Sequence, residues 1–156
     1  MAKLVDEGQK APPFSLATDG GGKVSLADLA GAPAIVYFYP KDDTSGCTRE
    51  ALDFSAAAAK FKKLGIPVVG VSKDSVAAHD KFKGKHQLKV VLASDPDGIV
   101  IESYGSWIEK SMYGRKYMGI DRSTFLIDSK GKIVRIWRKV KVPGHVEEVL
   151  AAAKDL

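Results

Sequence analysis

The chain has 156 residues, a length suited to a single domain spanning 1–156 around one core. Its 45% hydrophobic and 28% charged content is that of an ordinary globular protein, and no apolar run approaches the ~20 residues that cross a bilayer. The formal charge of +5 comes from scattered groups (Lys60, Lys62, Lys63; Lys81, Lys83, Lys85; Arg135, Arg138, Lys139, Lys141) without the aromatic-basic interleaving of RNA-binding sheets, so neither nucleic acid nor membrane is expected as a partner.

Met1 to Ala11 carries Lys3, Asp6, Glu7 and Lys10 and has no apolar h-region, so a cytoplasmic protein without a secretory signal is expected. A lone cysteine, Cys47, excludes an intrachain disulfide and a thiolate-rich zinc site. His79, His86 and His145 lie far apart with no ligand spacing. They read as surface or helix-end residues, and no metal site is expected.

In chain order, Phe14-Ser15-Leu16 and Lys23-Val24-Ser25-Leu26 flank a glycine-rich turn and predict an N-terminal hairpin. Ala27-Asp28-Leu29 adds a short helical turn. Ala34 to Tyr39 is apolar, β-branched and aromatic, the pattern of a fully buried strand, and Pro40 stops it. From Cys47 to Leu64 the apolar positions Ala51, Phe54, Ala58 and Phe61 recur at helical steps, and Gly65 ends the helix. Pro67 to Ser72 is a second buried strand, Ser75 to His86 a helix, Val90 to Ala93 a strand, and Asp97 to Tyr104 a short helix. The long segment before Arg122 is assigned no element; its Trp107, Met112 and Tyr113 suit either packing or an apolar edge of a pocket. Ser123 to Asp128 and Ile133 to Trp137 read as antiparallel neighbours, and a last helix runs from about Gly144 to Leu156. This order predicts an α/β, thioredoxin-like fold: a mixed central sheet flanked by helices, with an N-terminal β-hairpin extension.

Cys47 falls at a strand-to-helix junction, where free N–H groups and the positive end of the helix dipole stabilise a thiolate. Gly46 permits close approach of the backbone, and Thr44 offers a hydroxyl that can both donate and accept. Asp42 and Asp43 would oppose a nearby thiolate, so a cation must offset them. Arg122 is the candidate: the strand after it is expected to lie antiparallel beside Ala34 to Tyr39, which brings the guanidinium toward the thiol. Glu50 either holds an arginine, Arg122 or Arg49, in place or complements the dipole of the first helical turn.

The stretch Tyr37 to Phe54, YFYPKDDTSGCTREALDF, contains P-x-x-x-T-x-x-C and resembles the peroxiredoxins, in particular the group called PrxQ or bacterioferritin comigratory protein. A second block, Glu109 to Arg115 followed by Gly119 to Asp128, supports this, and the resemblance runs from about Gly8 to the C-terminus. It implies a cofactor-free thiol peroxidase that reduces hydrogen peroxide and organic hydroperoxides through a cysteine sulfenic acid. Cys47 would be the peroxidatic residue, Thr44 the hydroxyl that orients peroxide, and Arg122 the guanidinium serving both. Pro40 would shield the pocket, with Gly46 and Glu50 in support. Thioredoxin, glutaredoxin or glutathione would be the external thiol, and the resemblance favours a monomer, with a dimer as the alternative. Members of this group carry a resolving cysteine at the position of Leu52 or of Lys83, and this chain has sulfur at neither, which makes it a one-cysteine type. Ser45 also replaces the proline usual before Gly46. Outside the enzymes, a binding module that merely kept the fold is the competing reading. A C-x-x-C disulfide reductase is disfavoured, because Thr44 stands where the partner cysteine would be.

Overall fold

The structure, a computed structural model, describes residues 5–156; Lys3, part of the N-terminal reading above, lies outside them. The N-terminal hairpin pairs β1 (Ser15–Thr18) with β2 (Lys23–Ser25), and the Ser25 hydroxyl then accepts the Asp28 amide to cap α1 (Leu26–Leu29). Two parallel crossovers follow. They join β3 (Ala34–Phe38) through α2 (Ser45–Ala56) and α3 (Ala58–Lys63) to β4 (Val68–Ser72), and β4 through α4 (Val76–His86) to β5 (Val91–Ser94). After α5 (Ile99–Ser103) come a two-stranded ribbon, β6 (Trp107–Met112) with β7 (Arg115–Ile120), the antiparallel pair β8 (Ser123–Ile127) and β9 (Ile133–Trp137), and α6 (His145–Lys154).

Seven of these strands form one mixed sheet in the order β2-β1-β5-β4-β3-β8-β9. The expected hairpin extension is therefore the sheet's edge, attached by antiparallel pairing of Ala17 and Thr18 with Ser94 and Ala93. Side chains along β3 alternate between two cores, as strand geometry requires. Ile35, Tyr37 and Tyr39 face the core beneath α2, α3, α4 and α6, while Val36 and Phe38 face that of α1 and α5. With apolar groups on both faces, the central strands read as continuous hydrophobic runs, and this is why β3, β4 and β8 were visible in the sequence.

Two expectations need correction. The helix predicted from Cys47 to Leu64 begins earlier, at Ser45, and is broken at Ala57. Nothing in the alanine run dictates the break; it follows Ser55, whose hydroxyl accepts the Lys89 amide at 2.9 Å and ties the end of α2 to the strand side. The unassigned segment before Arg122 is the β6–β7 ribbon. Its turn places Tyr113 at φ 52° and Gly114 at φ 78°, the left-handed pair of a type I′ hairpin turn.

Tyr37 crosses the neighbouring strand directly over Gly70, its partner in register, and stacks on Phe54 of α2 with ring centroids 4.6 Å apart. A Cβ at Gly70 would lie 2.7 Å from the Tyr37 ring carbon and hydroxyl. Gly70→Ala is expected to destabilise the fold by about 1–3 kcal/mol through overpacking. Urea denaturation reads this directly, and an unchanged midpoint would contradict it.

Candidate active site

The end of β3 delivers Tyr39 and Pro40 to a loop, Lys41 to Thr44, which turns into α2. Thr44 is the N-cap, with extended φ/ψ, and its carbonyl takes the Thr48 amide at 2.8 Å. Its side chain makes no capping bond. The hydroxyl instead donates to the Lys41 carbonyl at 2.8 Å, which leaves the oxygen free to accept. The amides of Ser45, Gly46 and Cys47 form the first turn of α2, where a helix has no acceptors of its own for them.

Arg122 reaches this turn from the start of β8. Phe38 pairs with Ser123 across the antiparallel register, so the residue before Ser123 stands beside the exit of β3. Its Nη2 donates to Cys47 Sγ at 3.3 Å and its Nη1 to Glu50 Oε1 at 2.8 Å. Burial by itself would ease deprotonation of Arg122, but its charge interactions and hydrogen bonds with Glu50 and Cys47 hold its pKa above the ordinary value. Of the two arginines offered to Glu50, the partner is Arg122; Arg49 pairs with Asp53 one turn on. Gly46 acquires a sharper reason than general permissiveness: a Cβ there would lie 3.2 Å from Arg122 Nη2 and press on the guanidinium. Pro40 is half-buried at the mouth of the loop.

Cys47 is 1% exposed and Glu50 fully buried. Glu50 Oε2 and the Tyr37 hydroxyl find no hydrogen-bond partner among the described residues. Burial pushes the Glu50 carboxyl up to about 7, with the Arg122 charge pulling against it, and burial together with Glu50 and Cys47 keeps the Tyr37 phenol protonated.

The acids expected to oppose a thiolate are occupied elsewhere. Asp43 accepts from Lys85 at 2.7 Å and His86 at 2.8 Å, and these bonds hold its carboxyl below the usual range. Asp42 accepts from Tyr39 and lies 2.6 Å from His79 Nδ1. The reading of the histidines as surface or helix-end groups holds for His86, the last residue of α4, and is corrected for His79 and, as to burial, for His145. His79 lies inside the protein, and His145, though first in α6, is buried with its Nε2 2.8 Å from the Thr124 hydroxyl. Burial pushes His145 down to about 4, so it is a neutral packing group against Trp137 and Phe54.

Met112 and Tyr113 do not line a pocket; both are exposed, Tyr113 fully, on the β6–β7 ribbon. The ribbon residue that sequence reasoning missed is Lys110. Burial and the nearby Arg122 lower its pKa, while Asp121 and Cys47 oppose them. Its approach depends on the ribbon, which was not recognised. At the two candidate resolving positions, Leu52 is exposed on α2, and Lys83 on α4 binds Asp19 at 2.7 Å. Among the described residues no cluster of ligating side chains could hold a metal ion, and no helix is long and apolar enough to cross a membrane.

A thioredoxin-like sheet with a cysteine in the first turn of the helix after its central strand, met by an arginine from the adjacent antiparallel strand, defines the peroxiredoxin class. Residues 7–136 match the AhpC/TSA family, and the chain belongs to it, among the Bcp/PrxQ peroxiredoxins. It is 53% identical to a putative peroxiredoxin bcp of Coxiella burnetii over 94% of this chain and 97% of that protein. It is 46% identical to the peroxiredoxin Bcp of Bacillus subtilis over 97% of each chain. A structure of the Xanthomonas campestris bacterioferritin comigratory protein, studied for its alkyl peroxide reduction activity, superimposes with a TM-score of 0.87 at 45% identity, over 91% of this chain and 90% of that one.

The buried Glu50 gives a pH signature. Its folded pKa of about 7 lies above the ordinary 4.5, so its contribution to stability is complete below about 4.5 and is lost as pH rises through 7. Relative to Glu50→Gln, the wild type should lose on the order of 2 kcal/mol between pH 4.5 and 7.5. Parallel unfolding curves for the two proteins across that range would refute it.

Proposed function

We propose that the chain is a one-cysteine thiol peroxidase in which Cys47 attacks the peroxide and Arg122, Thr44 and the first-turn amides of α2 carry the transition state. The observation behind this reading is the 3.3 Å contact of Arg122 with Sγ at an uncapped helix start. The Cys47 thiolate attacks the terminal oxygen of ROOH in line with the O–O bond. An S–O bond forms, the O–O bond breaks, and RO⁻ leaves and takes up a proton to become an alcohol, or water when the substrate is hydrogen peroxide. The sulfur is oxidised by two electrons to sulfenic acid. Thr44, its own proton committed to Lys41, accepts the peroxide hydrogen, while the guanidinium and amides donate to the oxygens on which charge develops. A lowered thiol pKa could not by itself supply the acceleration, because nucleophilicity falls with pKa; the oriented donors supply most of it. Pro40 keeps water from the thiol, and Gly46 leaves room for Arg122.

An external thiol then attacks the sulfenic acid, releasing water and forming a mixed disulfide, and a second thiol frees Cys47. Thioredoxin, glutaredoxin and glutathione each supply such thiols, and a reducing compartment such as the cytoplasm suits a cycle that consumes them. Every proposed site residue comes from one chain, so a monomer suffices.

Reduced protein mixed with substoichiometric hydrogen peroxide should gain one oxygen at Cys47 in a fast phase followed by tryptophan fluorescence. Cys47→Ser should abolish that phase, and Arg122→Ala should slow it roughly a hundredfold. If wild type and Arg122→Ala consumed peroxide alike at a free-thiol rate, Cys47 would be structural and the reading would fall. Under excess peroxide without reductant, intact mass should shift on to the sulfinic acid, because no second thiol traps the sulfenate. Arrest at a gain of one oxygen would count against the one-cysteine cycle.

A further inference from the structure

With Cys47 1% exposed, a thiol carried by a larger molecule has no access to its sulfenic acid in the arrangement described above. On the side away from Arg122, that arrangement is held by polar bonds between the Lys41–Thr44 loop and α4. Asp42 Oδ1 accepts from the Tyr39 hydroxyl at 2.6 Å, and Oδ2 lies 2.6 Å from His79 Nδ1. The other ring nitrogen, Nε2, lies 2.9 Å from the Ala93 carbonyl of β5. A carbonyl only accepts, so Nε2 carries hydrogen, and with a carboxylate at Nδ1 the ring is an imidazolium in an ion pair. The pair is secluded, His79 being 0% and the Asp42 side chain 6% exposed. Burial disfavours the charged ring, but the bond to Asp42, its charge and the Ala93 carbonyl raise the pKa of His79 on balance.

The same loop is fastened at two further points. The Asp42 amide donates to Asp74 Oδ2 at 2.9 Å, an oxygen that also accepts the Ser72 hydroxyl at 2.6 Å. Asp43, forced to φ 61°, binds Lys85 and His86 of α4. A buried ion pair is a weak source of net stability but a strong directional constraint, and removing one member leaves the other uncompensated. Here the constraint ends on the four residues, Lys41 to Thr44, that lead into the first turn of α2. Among the described residues none of its members hydrogen-bonds Cys47, whose side-chain partner is Arg122.

We propose that His79 is a positioning residue. Through Asp42 it holds the Lys41–Thr44 loop and the start of α2 in the geometry for peroxide attack, and release of this clamp opens oxidised Cys47 to the reducing thiol. The inference rests on the peroxidase reading above. It predicts opposite effects on the two half-reactions, which simple loss of stability would not give.

The test uses Asp42→Asn and His79→Leu, with Tyr39→Phe as a milder variant that removes one hydroxyl and keeps the core filled. Each is measured for oxidation of Cys47 by hydrogen peroxide, for reduction of the preformed sulfenic acid by reduced thioredoxin, and for amide hydrogen exchange. Oxidation should slow tenfold or more in the first two variants, since small misplacements of reacting groups cost roughly that much or more. Reduction should proceed at least as fast as in wild type. Exchange should rise at residues 41–48 while β3, β4 and β8 stay protected, and Tyr39→Phe should shift all three readouts the same way by less. Unchanged exchange at 41–48, exchange raised across the whole sheet, or equal slowing of both half-reactions would overturn the proposal. If wild-type protein formed no sulfenic acid at all, the peroxidase reading would fail, whereas exchange at 41–48 would still report on the clamp.

Discussion

The antiparallel register of β3 against β8 is the constraint on which the site depends. Pairing Phe38 with Ser123 sets Arg122 beside the exit of β3, within reach of a thiol that enters the helix from the same exit. A slip by one residue would turn each β8 side chain to the opposite face, exchanging the burial of Phe125 and Leu126 between the two cores. The cores therefore enforce the register, and the register aims the guanidinium. Glu50, one turn beyond Cys47 on the same helix, then fixes the rotation of that guanidinium through Nη1 and leaves Nη2 for the sulfur.

Charge around the thiol is arranged by direction. Three acidic groups, Asp42, Asp43 and Glu50, lie within a few residues of Cys47 in sequence, and each has a different basic partner: His79 for Asp42, Lys85 and His86 for Asp43, and Arg122 for Glu50. Of these partners, Arg122 also contacts sulfur. The others draw negative charge outward to α4, so the local field at the helix start is set by the guanidinium and the free amides of the first turn. Oriented donors of this kind stabilise charge as it develops without reorganising at the moment of reaction.

The parts of this arrangement legible in the sequence were those governed by local rules. Buried central strands announce themselves by unbroken β-branched and aromatic runs, and the crossover pattern that follows predicts both the mixed sheet and the approach of Arg122 to Cys47. The β6–β7 ribbon was not legible because Trp107 to Ile120 mixes charged, small and apolar residues, and most of its faces meet solvent. The Tyr113-Gly114 turn was the available signal, and Lys110 was lost with it. His79 was missed for a different reason. Its partners, Asp42 and Ala93, lie 37 and 14 residues away, and nothing near it on α4 marks a buried charge. A buried polar group is identified by its partners, and long-range partners are a property of the fold.

The position at which some relatives place a second cysteine shows how the fold accommodates its absence. Lys83 points from α4 to Asp19, and Asp19 in turn accepts the Leu92 amide at 2.9 Å, so the residue ties the helix to the sheet's edge hairpin and to β5. Helix α4 is thus anchored to the sheet through Lys83 and through the His79 contact with Ala93, and to the loop before α2 through His79, Lys85 and His86. An enzyme that resolves its sulfenic acid with its own cysteine must move that cysteine to the first. A one-cysteine chain has no such requirement. On the cycle proposed above, only the loop and the start of α2 would have to move, while the bond of Lys83 to Asp19 keeps α4 tied to the edge hairpin.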